Sequence, residues 1–167
     1  MTLNLLLMRH GKSDWSDDVQ RDHDRPLAPR GIKAAQFMGQ TLARAEQLPE
    51  LIISSTAVRA RTTAEEFIAA LGIALPMQTC DQFYDSTPEQ VLQVIRKLNG
   101  PDWVMVVGHE PTWSRLTSLL MGGGTLIFPT AAIARIEFDC ELWSQVRPRQ
   151  GALKWLLQPK FLMSVTQ

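Results

Sequence analysis

Two short apolar runs in this chain end in the same abrupt way. Leu5-Leu6-Leu7-Met8 gives way at once to Arg9, His10, Gly11 and Lys12, and Trp103 to Val107 gives way to Gly108, His109 and Glu110. A third run, Leu51 to Ser54, is followed a few residues on by Arg59. Two histidines and two arginines at one crevice suit a tetrahedral dianion. An arginine fork binds phosphate oxygens two at a time, and helix N-termini add N–H donors and the positive end of the dipole. Gly11 removes a side chain where backbone can approach a ligand, and Ser13 offers a hydroxyl. A neutral imidazole can attack phosphorus when one ring nitrogen is free and the other is tied to an acceptor that fixes the tautomer. A second imidazole can hold a phosphoryl oxygen or stabilise transferred charge. A leaving group that needs a proton must find an acid.

The elements that would bring these residues together are legible in outline. Leu3 to Met8 reads as a buried strand, residues 11 to 29 as a polar loop, and Gly31 to about Gln47 as a helix closed by Leu48-Pro49. Leu51 to Ser54 is a second strand. Ser55 or Thr56 is placed to cap the next helix, whose inner face is Ala60, Ala64, Phe67, Ile68 and Leu71 and whose stop is Gly72. Residues 75 to 80 read as a weaker strand. Thr87 is an N-cap followed by Pro88, and Gln90 completes a capping box. The strand at Trp103 to Val107 leads to a helix from about Thr112 to Met121, with Trp113, Leu116 and Leu120 facing inward. Ile133 to Phe138 and Leu153 to Leu157 are late strands. Strands alternating with helices imply βαβ units and an α/β fold: a mainly parallel sheet, covered on both faces, with an antiparallel edge. Ligands bind such sheets outside the carboxyl ends of the strands. His10, Arg59 and His109 should therefore meet at one edge. Arg59 also sits at the positive end of a helix dipole, which an anion bound there would explain.

Length and composition narrow the function classes. A chain of 167 residues suits a single domain with one sizeable core. With 17 basic and 17 acidic side chains it has no net charge, which argues against a general nucleic-acid binder but leaves room for a local anion pocket. Cys80 and Cys140 are too few and too far apart for a disulfide framework and read as buried thiols. The first residues lack a basic region, and no run reaches the ~18 apolar residues of a membrane span. The expectation is a cytoplasmic protein without a membrane partner. His10 and His109 are already assigned, so the three histidines leave no metal cluster, and no cofactor is implied. His23 reads as a free surface imidazole, Lys12 and Arg61 as solvated, Trp113 as core and Trp15 as a wall of the pocket.

Four blocks in order, "LMRHG" at 7–11, "DRPLAPRG" at 24–31, "SSTAVRARTTAE" at 54–65 and "VVGHEPT" at 106–112, resemble the histidine phosphatase superfamily. More narrowly they resemble its small SixA-type phosphohistidine phosphatases, and "LKWLLQPKFL" at 153–162 is similar to the tail of some members. An Arg-His-Gly triplet alone is weak, whereas four blocks in sequence order are specific. The resemblance implies a phosphoglycerate mutase-like three-layer αβα sandwich. It implies that His10 is a transiently phosphorylated nucleophile, that Arg9 and Arg59 clamp phosphate, and that His109 is the second active-site histidine; fit to a phosphate pocket also makes Ser13 a minor ligand. Arg25 and Arg30, in the second block, would mainly hold the loop near the pocket.

A general acid is the open point. Mutase-like members carry a glutamate after the third strand and acid phosphatases an acid just after the second histidine. Here those segments offer Asp85 and Glu110. Many SixA-type members have no dedicated acid, and transfer of phosphate from one imidazole to another asks little of one. Only 18 residues, 12 to 29, separate Gly11 from Arg30, and no long insertion follows the third strand. A shallow open site suits phosphohistidine displayed on a protein, such as a histidine phosphotransfer domain, with inorganic phosphate as product. The alternatives are a general phosphomonoesterase or small-metabolite phosphatase of the same superfamily and, in another class, a non-catalytic phosphate-binding adaptor.

Overall fold

The computed structural model describes residues 2–16, 18 and 21–166. Its strands are β1 (Leu3–Arg9), β2 (Leu51–Ser55), β3 (Met77–Cys80), β4 (Trp103–Gly108), β5 (Ile133–Phe138) and β6 (Ala152–Leu157). Its helices are α1 (Pro29–Arg44), α2 (Val58–Leu71), α3 (Pro88–Ile95), α4 (Thr112–Met121) and α5 (Pro159–Val165). One sheet runs in the order β3-β2-β4-β1-β5-β6. β1, β2, β3 and β4 are parallel, β5 is antiparallel to β1, and β6 is antiparallel to β5. The antiparallel pairing expected at an edge is this β5–β6 ribbon.

β1 is apolar at almost every position because both of its faces are covered. Leu3, Leu5 and Leu7 enter a core roofed by α3 and α4, where Trp113 and Leu116 are fully buried. Leu6 and Met8 enter a second core beneath α1 and α2, with Met38 and Phe67 at its centre and Leu162 of α5 at its margin. These are the three layers. Thr87 caps α3 as its sequence foretells: the Gln90 N–H donates to the Thr87 hydroxyl at 3.3 Å, and the Thr87 N–H donates to Gln90 Oε1 at 2.9 Å.

The structure differs from the sequence reading in a few places. α1 begins at Pro29 instead of Gly31, since proline's fixed φ and missing N–H suit a first turn. It ends at Arg44, a turn before Leu48-Pro49. α2 has Ala57 at its N-cap and no side-chain cap, so neither Ser55 nor Thr56 serves there. α5 was hidden because seven residues are too few to establish a period. Cys80 and Cys140 lie half-buried at the rim of the core and not within it. Within the expected loop at 11–29, Asp22–Asp24 forms a 3₁₀ turn and Ser13 pairs with Leu27, while residues 17, 19 and 20 lie outside the described residues. Among the described residues no helix is long and apolar enough to cross a membrane.

Candidate active site

Parallel strands end on one edge of a sheet, and there β1 delivers Arg9 and His10, β2 delivers Ser55 and then Arg59 in the first turn of α2, and β4 delivers His109. The antiparallel β5 begins on the same edge, so the segment before it closes the wall. The His10 N–H donates to the Gly108 carbonyl at 3.0 Å, the Arg9 N–H to Ala132 at 3.0 Å, and Arg9 Nη1 to the Phe128 carbonyl at 2.9 Å. The Gly11 N–H donates at 2.9 Å to the Thr63 hydroxyl, which itself donates to the Arg59 carbonyl at 2.6 Å. The turn carrying His10 is thereby bolted to the helix carrying Arg59.

The two imidazoles lie with ring centroids 5.2 Å apart, and both are buried, His10 at 8% exposure and His109 at 9%. His10 Nδ1 stands 2.6 Å from the Gly11 carbonyl oxygen. A carbonyl only accepts, so Nδ1 carries the proton and Nε2 keeps its lone pair. His109 Nε2 lies 2.8 Å from the Ser55 hydroxyl, and its buried Nδ1 has no partner among the described residues. The Ala57 N–H already donates to Ser55 Oγ at 3.2 Å. If the Ser55 hydroxyl donates to Nε2, the Nδ1 of His109 bears a proton for a phosphoryl oxygen. Ser55, a supposed helix cap, instead orients this histidine.

Burial pushes the His10 imidazole down to about 4, with Arg59, Arg9 and Arg25 adding to the effect and the Gly11 bond opposing it. Burial likewise pushes His109 down to about 3, helped by His10 and Arg59. Both rings are neutral at pH 7, the form a nucleophilic imidazole needs. Between the unperturbed 6.5 and the folded values, an unfolded chain binds protons that the native rings refuse. Stability is fully present above about pH 6.5 and falls on acidification through that window, by up to about 1.4 kcal/mol per pH unit for each histidine. Urea unfolding at pH 7, 6 and 5 should show the midpoint falling, and His109→Asn should shrink the fall. A midpoint flat from pH 7 to 5 would contradict this account.

The cationic side of the site is held by a residue that sequence reasoning missed. Arg59, only 6% exposed, donates from Nη1 to the Asp22 carbonyl at 2.7 Å and from Nη2 to Asp22 Oδ2 at 3.0 Å. Asp22 also pairs with Arg25 and accepts the Tyr84 hydroxyl at 2.9 Å. Burial raises the Asp22 carboxyl, but the Tyr84 hydroxyl and the two arginines outweigh it and hold it below its ordinary value. This carboxylate is thus a clasp for the arginines and a poor proton donor. Nε of Arg9, Arg25 and Arg59 is buried without a protein partner among the described residues, an arrangement made for anion oxygens. The only hint of Tyr84 in the sequence is that it is the single tyrosine, one residue before Asp85. Asp22 is one of several acids in a polar loop, with nothing to mark it.

The remaining candidates sort clearly. Asp85 and Glu110 line a cleft of about 530 Å³ together with Asp22, Arg59, Tyr84 and His109. Glu110 Oε1 accepts the Ser114 N–H at 2.8 Å, and among the described residues neither carboxylate bonds to a histidine. Ser13 is buried against Leu27, without a hydrogen bond from its hydroxyl to the four central residues. His23 is not a free surface imidazole: its Nε2 meets the Thr56 hydroxyl at 3.1 Å and its ring stands edge-on to Tyr84 at 4.8 Å. Arg25 stacks 3.4 Å over the Trp15 ring, so Trp15 supports the site through that guanidinium. Arg30 is exposed, and Arg61 pairs at the surface with Glu65 at 3.6 Å.

Known proteins share this sequence pattern and this fold. The sequence model of the histidine phosphatase superfamily (branch 1) matches residues 5–87. An uncharacterised protein of Mycobacterium tuberculosis is 36% identical over 157 residues, spanning 87% of this chain and 96% of that protein. The SixA chain of Agrobacterium tumefaciens is 27% identical and superposes with a TM-score of 0.79, over 94% of this chain and 98% of that one. The protein histidine phosphatase SixA complexed with tungstate has the same fold, with a TM-score of 0.82 at 24% identity over 96% and 99% of the two chains.

Proposed function

Since the chain belongs to the histidine phosphatase superfamily, and to its SixA type, we propose that it is a metal-independent phosphatase acting on phosphohistidine in proteins through a phosphohistidine enzyme intermediate. The observation that carries this reading is the His10 imidazole, neutral and locked by its Nδ1–H to the Gly11 carbonyl at 2.6 Å. Its Nε2 lone pair attacks phosphorus in line as the P–N bond of the substrate breaks. Arg9, Arg59 and His109 neutralise the charge on the phosphoryl oxygens. The departing imidazole nitrogen takes its proton from solvent. Water then attacks the phosphorus of phospho-His10, and orthophosphate leaves as Nε2 recovers its lone pair.

The substrate class rests on what the leaving group demands. Imidazole is a good leaving group, whereas an alkoxide needs a general acid worth about 10²–10⁴ in rate. Among the described residues no carboxyl group is hydrogen-bonded to either histidine of the pair. The carboxylates of Asp85 and Glu110 in the cleft favour the second reading, a phosphomonoesterase for a small metabolite. A panel decides between them. Phosphohistidine peptides should exceed sugar phosphates and p-nitrophenyl phosphate in kcat/KM by roughly 10²-fold or more. A sugar phosphate turned over fastest would reverse the assignment, and turnover of any of them dismisses a binding adaptor.

A further inference from the structure

A second groove, of about 780 Å³, opens beside the phosphate pocket between the first turns of α1 and helix α5. Five cations line it, Arg9, Lys12, Arg30, Lys33 and Lys160, and no carboxylate does. That is unusual in a chain with equal numbers of acids and bases. Of the twelve cations outside the groove, six, Arg21, Arg25, Arg59, Arg61, Arg135 and Lys154, each meet an Asp or Glu among the described residues, whereas none of the five inside it does. Lys12, Arg30, Lys33 and Lys160 take part in no ion pair among the described residues. Between the cations Ala34, Pro159 and Met163 make an apolar floor. Arg9 joins the groove to the site, because it precedes His10 at the end of β1 and its charge acts on the His10 imidazole.

We infer that this groove docks an acidic, amphipathic segment of the phosphoprotein substrate, a proposal that rests on the phosphohistidine reading above. Carboxylates would meet Arg30, Lys33 and Lys160 while an apolar side chain covers Met163 and Pro159. The phosphohistidine would lie beyond Arg9 at His10. A small polyanion satisfies the cations but leaves the apolar floor in water, so a polypeptide is the better match. Each exposed ion pair contributes little alone, but several act together and steer the encounter.

Two phosphohistidine peptides test this, one with flanking glutamates and a leucine, the other with the glutamates replaced by glutamines. The wild-type protein should favour the acidic peptide by roughly tenfold in kcat/KM, and the preference should shrink with salt. The double variant K33E/K160E, changed only at exposed lysines, should lose the preference yet hydrolyse the neutral peptide as before. Equal rates on both peptides by the wild-type protein overturn the groove and leave the phosphohistidine reading standing. Equal losses on both peptides in the variant also overturn it, since the groove would then serve the small anion. A wild-type protein that hydrolyses neither peptide but cleaves sugar phosphates defeats the substrate reading, and the docking proposal with it.

Discussion

His10→Ala should lower turnover by roughly 10⁴-fold or more while leaving the protein folded. The size follows from the role: without a nucleophile the two-step route closes, and the remaining cations can only bind the anion or orient water. Wild-type protein quenched during turnover of a labelled phosphodonor should carry phosphate on His10 in an acid-labile, alkali-stable bond, and the variant should carry none. The fold should survive because His10 follows β1 and its ring stands beside His109, which lines the cleft, so the loss falls at the site and not in the core. Its backbone N–H and carbonyl still bond to Gly108 and Ala131. The variant should also unfold with a shallower dependence on pH below 6.5, since one of the two refused protons is gone. Retention of wild-type turnover in His10→Ala would falsify the covalent mechanism.

Why this site could be read from the sequence, and how far, is a matter of which residues obey a period. β1 and β4 are central strands, and their unbroken apolar runs announce that both faces are covered. Once the sheet is parallel, the residues after each strand must share an edge, so Arg9, His10 and His109 converge without any three-dimensional knowledge. Arg59 follows because its helix starts there. The clasp made by Asp22 has no such signature. It joins residues 37 and 62 positions apart through a polar loop, and contacts of that kind leave no pattern along the chain. Ser55 misled in an instructive way: a serine before a helix is a frequent cap, yet here its hydroxyl faces His109 and the cap position falls to Ala57. The cationic groove was equally hidden, because α1 and α5 meet only after the chain has folded.

The second large effect is expected at Gly31, a residue of the "DRPLAPRG" block that carries no chemistry. The turn after His10 lies directly on the first turn of α1. A Cβ on Gly31 would run into the Lys12 carbonyl oxygen and sit 2.8 Å from the Lys12 nitrogen, and a Cβ on Gly11 would sit 2.8 Å from the Gly31 carbonyl oxygen. These obstacles are backbone atoms, so no rotamer change relieves them. The Lys12 carbonyl is also fixed, accepting the Ala28 N–H at 2.8 Å. In Gly31→Ala the two segments must part, at a cost of about 1–3 kcal/mol or more, which lowers the melting temperature by roughly 2–4 °C per kcal/mol. The turn that moves is the one presenting the Gly11 carbonyl to His10 Nδ1, and a displacement of ~1 Å can cost about 10²-fold in rate. Gly39→Ala is the control. Its Cβ would meet the Phe67 carbonyl oxygen at 2.5 Å, where α1 crosses α2 away from the site. Both variants should melt earlier, but only Gly31→Ala should lose kcat per folded molecule. Equal kcat in the two would mean that the contact between the blocks serves stability alone and that the His10 turn tolerates displacement.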